Sequence, residues 1–435
     1  MGALREDFDQ LTIVKTMIRG QSKVRWTIVT LLFFATTINY IDRQIIGLLK
    51  PYIAKDLHWD EADYGYVVTA FQVAYAVGLL LSGRLLDKFG TRLGYTIAII
   101  IWSLGALMHA IVSTVTGFGI SRAVLGIGEA ANFPAAVKTV AEWFPKRQRA
   151  LATGIFNSGS NIGAIAAPVI VAGITISLGW KWAFIITGAL GFIWMVCWLC
   201  LYQSPEKHKR VSQTELNYIL SDNDAEEVQA ADTVTWKSLF SYKQTYAICL
   251  SRFLTDWVWW FFLFWAPDFL FKTQHIDLQA SVLPLIIIYT MAGCGGILGG
   301  FLSSNFIKQG RSVDFSRKTA IFICGLLVLP LIFAAQVQNI WLVVGIIGMA
   351  TAAHQGWASN IFTMVSDIYP KHAVGTMVGL SGFTGAIGGA LAASFVGLAL
   401  KFSGSYTLIF LIASSMYMLA WGILKLMIPK ISLIK

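Results

Sequence analysis

Apolar runs of about twenty residues recur about twelve times along this chain, each long enough to cross a hydrocarbon core ~30 Å thick at ~1.5 Å of rise per residue. They fall near 24–49, 62–86, 93–113, 116–143, 150–175, 182–203, 244–271, 279–305, 318–335, 340–368, 374–400 and 405–428. In lipid every backbone amide must bond within its own segment, so such runs become helices. Composition agrees: 56% of the residues are hydrophobic and 13% charged, and the mean hydropathy is +0.65, values that exclude a soluble globular fold. The expected fold class is an all-α membrane protein.

A net charge of +10 would suggest nucleic acid as the partner of a soluble chain; in a membrane chain it speaks to topology. Lys15, Arg19, Lys23 and Arg25 precede span one, Arg84, Lys88 and Arg92 follow span two, and Lys146, Arg147 and Arg149 follow span four. Placing the N terminus in the cytoplasm puts most Lys and Arg on that side, so both termini are expected there. The first 22 residues are polar and lead into a full-length span with no small-residue cleavage pattern, so no cleaved signal peptide is expected. Cys197, Cys200, Cys249, Cys294 and Cys324 all lie within spans, where neither a disulfide framework nor a zinc cluster is expected. Gly293-Cys-Gly-Gly296 and Gly299-Gly300 lack the Gly-Lys-Ser/Thr of a phosphate loop and read as small residues that let helices cross closely. No cofactor or metal is implied, and with no nucleophile paired to a base the chain does not read as an enzyme.

Two halves repeat. Phe144-Pro145-Lys146-Arg147, followed by Gly154 and Gly163, is matched 225 residues later by Tyr369-Pro370-Lys371-His372, followed by Gly379 and Gly388. The same offset sets Glu129 opposite His354. Two pseudo-symmetric six-helix bundles are expected, over 24–203 and 244–428, with a cavity between them that rocking exposes to alternate sides. Residues 1–23 and 429–435 read as cytoplasmic ends, and 204–243 as a cytoplasmic linker. Within the linker, Ser212-Gln-Thr-Glu215 has the pattern of a capping box opening a short surface helix, and Asp222 to Asp232 is acidic.

Several ionisable residues interrupt the spans: Asp42 and Arg43 in the first, Arg122 and Glu129 in the fourth, Arg252 and Asp256 in the seventh. A charge at mid-depth costs about 2.5–3.5 kcal/mol, so each of these needs a partner or a function. Arg43 carries a planar fork of donors that suits a carboxylate and stays charged at any working pH. Arg122 and Glu129, seven apart, lie about two turns from one another along one helix face. Asp42 and Arg43 point ~100° apart, so one can face a cavity while the other faces a neighbouring span. The expected pairs are Arg43 with Glu129 and Asp42 with Arg122. Desolvation and a nearby guanidinium act on a buried carboxyl in opposite directions, which leaves it poised to change state. Arg252 and Asp256, four apart, are expected to pair on one face of span seven. His109, Trp180 and Trp182 read as interfacial residues.

Between spans two and three the chain reads Gly83-Arg-Leu-Leu-Asp87-Lys-Phe-Gly90-Thr-Arg92. This resembles the signature loop of the major facilitator superfamily, and implies that Gly83, Asp87, Gly90 and Arg92 form a conformational latch, Asp87 pairing across the bundle interface. Asn39-Tyr-Ile-Asp-Arg43 and Gly126-Ile-Gly-Glu-Ala-Ala-Asn-Phe-Pro134 are similar to the anion:cation symporter family, and Arg252-Phe-Leu-Thr-Asp256, Trp259-Trp260 and His354-Gln355 look most like its bacterial hexuronate carriers.

That resemblance implies a monomeric secondary transporter in a bacterial inner membrane, importing a hexuronate such as glucuronate or galacturonate with protons. Another sugar acid such as an aldonate, or sodium coupling, is the alternative. Arg43 would hold the substrate carboxylate, with Glu129 and Asp42 as protonation sites beside Arg122. A sugar acid also presents hydroxyls, so neutral hydrogen-bonding groups on an aromatic frame are sought. From the first half these are Tyr40, Gln72, Tyr75, Asn157, Ser160 and Asn161; from the second, Trp260, Tyr289, His354, Gln355, Trp357 and Asn360.

Overall fold

The computed structural model describes residues 23–221, 239–369 and 371–432. Lys15, Arg19, the Asp222–Asp232 stretch and Pro370 lie outside the described residues. Among the described residues eleven helices are long and apolar enough to cross a membrane, and the remaining span is divided into Val115–Ala130 and Asn132–Trp143. Counting that pair as span four, the order is Val24–Leu57 (span one), Glu61–Gly83, Lys88–Met108, the divided span four, Leu151–Leu178, Trp180–Leu201, Lys243–Gln274 (span seven), Leu278–Lys308, Val313–Phe333, Ile340–Ile368, Thr376–Ser403 and Thr407–Met427 (span twelve).

Local chemistry sets the ends. Asp60 and Asp63 close a reciprocal capping box at the start of span two, each carboxylate accepting the other's backbone N–H at 2.9 Å. Asp277, Ser312 and Asn339 cap spans eight, nine and ten in the same sense. Spans two and three are parted at Gly90, whose φ of 74° is open to glycine without strain. Span one runs on to Leu57, beyond its expected end near residue 49. The charge of Lys50 looks like a boundary in sequence, yet it is carried inside the helix because its partners come from other spans.

The halves meet through close backbone contacts. A Cβ on Gly65 of span two would lie 2.9 Å from Gly397 Cα of span eleven, and one on Gly47 of span one 2.9 Å from the Phe264 carbonyl of span seven. Within the second half, a Cβ on Gly299 would lie 2.2 Å from Gly356 Cα, and one on Gly295 2.3 Å from Ala352 Cα. The glycine run of span eight therefore serves the close crossing expected of it, against span ten.

The linker helix, Gln213–Leu220, starts at Ser212, whose hydroxyl accepts from Glu215 N at 3.2 Å. The Glu215 carboxylate, fully buried, is carried instead to the first turn of span one. There it accepts from Val24 N and Arg25 N at 3.3 Å and from Arg25 Nη1 at 3.0 Å. The Arg25 guanidinium also lies 4.7 Å from the Tyr218 ring. A carboxylate at a helix N-terminus meets both unsatisfied amides and the positive end of the dipole.

Candidate functional site

Arg43 stands at the meeting of both halves. Its Nε donates to Glu129 Oε2 at 2.8 Å and its Nη2 to Asn39 Oδ1 at 3.1 Å. The guanidinium lies over four rings: Tyr40 and Tyr75 at 4.8 Å, Phe71 at 5.6 Å, and Trp260, from the opposite half, at 5.0 Å. Such a collar holds the cation by ring quadrupoles while leaving its donors in the plane. Glu129 Oε1 is buried with no hydrogen-bond partner, so the expected Arg43–Glu129 pair engages the carboxylate through one oxygen.

The small residues around Glu129 bring span four this close. A Cβ on Gly126 would lie 2.6 Å from the Phe71 carbonyl of span two, and one on Gly128 2.4 Å from Trp102 N of span three. Only hydrogen fits at either position.

The expected Asp42–Arg122 pair does not form. Arg122, fully buried, donates from Nη2 to the Arg43 carbonyl at 3.0 Å and lies 4.7 Å from the Phe71 ring. Its Nε and Nη1 have no partner, and neither has the Asp42 carboxylate, which is turned toward Thr187 of span six. The ~100° step between Asp42 and Arg43 separates them as expected, but Arg122 follows the backbone of span one rather than the Asp42 side chain.

The hydroxyl-binding candidates divide. Tyr40, Tyr75 and Trp260 form the collar. Gln72, buried and without a partner for its amide, lines a cleft with Trp260, Phe264 and Gly389. Asn157 is exposed, Ser160 donates to the Asn157 carbonyl at 2.7 Å, and Asn161 faces Gly293 of span eight across the halves. Gln355 also faces span eight, at Gly296.

Four others are turned into the second half. Tyr289 donates to the Phe262 carbonyl at 3.3 Å, and Asn360 Nδ2 to Gly299 O and Gly356 O at 2.9 Å. Trp357 packs on the Tyr417 ring. His354 Nδ1 shares a hydrogen bond of 2.7 Å with Tyr417 OH, and its ring stacks on Trp259. Tyr289, Trp357 and Asn360 thus engage neighbouring spans of the second half.

Arg252 and Asp256 pair as the spacing suggests, Nε at 2.8 Å and Nη2 at 2.6 Å from Oδ2, with Nη1 donating to Ser381. His109, the residue just after the end of span three, is fully buried within the protein, stacked on Phe184 at 4.8 Å, with Nδ1 on the Gly105 carbonyl. Trp180 is buried and donates to Asp56 at 2.7 Å, while Trp182 is exposed. In the signature loop Arg92 donates to the Leu199 carbonyl at the end of span six, inside the first half; the side chain of Asp87 lies outside what is described.

A second charged cluster is not apparent from sequence. At the ends of the spans remote from the chain termini, Lys50 Nζ lies 2.5 Å from Glu61 Oε2 and 2.7 Å from Asp268 Oδ2. Lys272 pairs with Glu61 and, at 3.4 Å, with Asp268, and Tyr406 donates to Asp268. Lys401 reaches Asp60 at 2.7 Å. These contacts tie spans one and two to spans seven, eleven and twelve. The i,i+4 spacing of Asp268 and Lys272 was visible, but each of these charges alone reads as an interfacial residue.

The Major Facilitator Superfamily profile matches residues 32–393. The hexuronate transporter of Escherichia coli K12 is 30% identical over 376 residues, 86% of this chain and 87% of that protein. The galacturonate transporter of Dickeya chrysanthemi is 33% identical over 309 residues, 70% of this chain and 89% of that one. Among solved structures, a bacterial homologue of the human lysosomal transporter Spinster superposes with a TM-score of 0.74 at 18% identity, over 93% of this chain and 98% of that one.

Proposed function

The chain belongs to the major facilitator superfamily, and from that premise we propose that it imports a sugar acid, a hexuronate such as glucuronate or galacturonate, by proton symport. The observation that carries this reading is the setting of Arg43: a buried guanidinium in a collar drawn from both halves, whose acidic partner Glu129 can be discharged by a proton. The names of the relatives, carriers of hexuronate and of galacturonate, point to the same substrate class.

Charge balance supplies the coupling. In the empty site Glu129 neutralises Arg43. A proton on Glu129 removes that counter-charge, and the guanidinium then takes the substrate carboxylate through the fork geometry it offers best. Closing the cavity over an uncompensated charge is unfavourable, so the fully empty and fully loaded states are the ones that cross. Proton and anion therefore move together. Tyr40, Tyr75, Gln72 and Trp260 stand where the sugar hydroxyls would be met, and Asp42 is a second proton site within the first half.

With both termini in the cytoplasm, the Lys50–Asp268–Glu61–Lys272 cluster lies on the outer side and is the seal that opens to admit substrate. Proteoliposomes test the whole reading: labelled glucuronate should accumulate when a pH gradient is imposed, and Arg43→Ala should abolish it. Uptake that ignores pH and requires sodium would replace the proton in this scheme, and no flux of any sugar acid would overturn it.

A further inference from the structure

The motif around Glu129 contains two residues that carboxylate chemistry does not require, Asn132 and Pro134, and both sit where span four is interrupted. Pro134 has no N–H, so the Ala130 carbonyl has no donor four residues on, and the proline ring crowds that carbonyl. The first half-helix ends at Ala130; Ala131 N reaches back three residues to Gly128 O at 3.3 Å, and the ladder resumes with Ala135 N on Ala131 O at 2.9 Å. Glu129 is thus in the last turn before a break. Span ten shows that the fold does not demand one: at the 225-residue offset Ser359 replaces Pro134, and Ile340–Ile368 is a single unbroken helix.

A broken helix can pivot, and a side chain next to the pivot keeps its place only if the break is held. Asn132, 4% exposed, is the holding group. Its Oδ1 accepts from Tyr95 OH of span three at 2.5 Å, and its Nδ2 donates to Thr36 Oγ1 of span one at 3.3 Å. Tyr95 is itself fixed among the rings of Trp102, Trp194 and Trp198. Ala131 between the half-helices keeps helical torsions, φ −77° and ψ −14°, so Asn132, three residues after Glu129, shares its face. Thr36 precedes Arg43 by seven, two turns along the same span. Span four is therefore fastened to span one at two levels, Asn132 on Thr36 and Glu129 on Arg43, on either side of its break.

We infer that Asn132 is a positioning residue which, by pinning the Pro134 break to spans one and three, holds Glu129 against Arg43. This deepens the proposed function and rests on it for the transport readout alone. The charged groups around Glu129 are Arg43 from span one and Arg122 from its own helix, with Asp42 beyond them.

The test compares wild type, Asn132→Ala, Glu129→Gln and the double variant in proteoliposomes, with glucuronate uptake followed against pH, and the thermal unfolding midpoint of each purified protein. Losing one buried hydrogen-bond anchor should change the proton affinity governing uptake by about tenfold, one pH unit, in Asn132→Ala. In the Glu129→Gln background the same substitution should alter exchange by less than about twofold, because the group it acts through is gone. The two substitutions should also be non-additive in unfolding midpoint, a readout that needs no substrate. Should Asn132→Ala fail to fold, Tyr95→Phe removes one of the two hydrogen bonds while keeping the ring, and carries the same comparisons. A pH profile identical to wild type, or an equal loss with and without Glu129, overturns the inference. Absence of glucuronate uptake in wild type would sink the proposed function, and the unfolding cycle would still decide the role of Asn132.

Discussion

Lys50 of span one and Asp268 of span seven meet at 2.7 Å, with both side chains 2% exposed, as a buried ion pair between the two halves. Its surroundings are balanced: Lys50 and Lys272 face Glu61 and Asp268, and Tyr406 adds a hydrogen bond. Removing one member of a buried pair leaves the other uncompensated, at about 3–5 kcal/mol. Asp268→Asn should therefore favour the conformation in which Lys50 reaches water. Spin labels at the exposed Lys55 and Gln279 should move apart in that variant; an unaltered distance distribution would mean that the cluster does not hold the halves together.

Arg43→Lys retains the charge but loses the fork and the planar surface that rests among Tyr40, Tyr75, Phe71 and Trp260. A point charge cannot reproduce a bidentate contact, so the KM for glucuronate should rise roughly 10- to 100-fold, the equivalent of about 1.4–2.8 kcal/mol. Saturation kinetics of counterflow measure this directly, and a KM within twofold of wild type would remove Arg43 from substrate binding.

Glu129→Gln keeps the shape of the side chain and cannot take up a proton. Gradient-driven accumulation should disappear, whereas exchange of internal for external substrate should persist and lose its pH dependence. Accumulation at the wild-type level would place the coupled proton elsewhere, with Asp42 the next candidate.

Gly128→Ala tests the packing that presents Glu129. The added carbon would sit 2.4 Å from Trp102 N, a backbone atom of the adjoining span that cannot swing aside. Overpacking of this kind costs about 1–3 kcal/mol. The unfolding midpoint should fall by several degrees and uptake should fall with it; an unchanged midpoint would show that span four can shift outward without penalty.

Glu215→Ala removes the acceptor that joins the linker helix to the start of span one, leaving Val24 N, Arg25 N and the Arg25 guanidinium without it. The loss should be about 1–3 kcal/mol. Hydrogen exchange across 213–220 should accelerate selectively, and exchange rates equal to wild type would mean that other contacts hold the linker.

What the amino-acid sequence determined was whatever the membrane makes compulsory. Spans had to be at least about twenty residues long and helical, and every charge within a span had to find a partner or a use. The number of spans, the Arg252–Asp256 pair and the close crossing at Gly295 and Gly299 follow from spacing and cost, whereas spacing suits the Arg43–Glu129 and Asp42–Arg122 pairs equally and only the first forms. Tertiary structure decided which way each remaining polar side chain turned. By sequence Asn360 and Tyr289 could face a cavity or a neighbouring span; in the fold they donate to backbone carbonyls of the second half. Asp42 faces Thr187 of span six, and Arg122 donates to a backbone carbonyl that sequence cannot single out. The Lys50–Asp268 pair joins residues 218 positions apart, and the break after Glu129 takes its meaning from Tyr95 and Thr36 on other spans. In each case the partner is chosen by helix phase and interhelical contact, which depend on neighbours far along the chain rather than on the local run of residues.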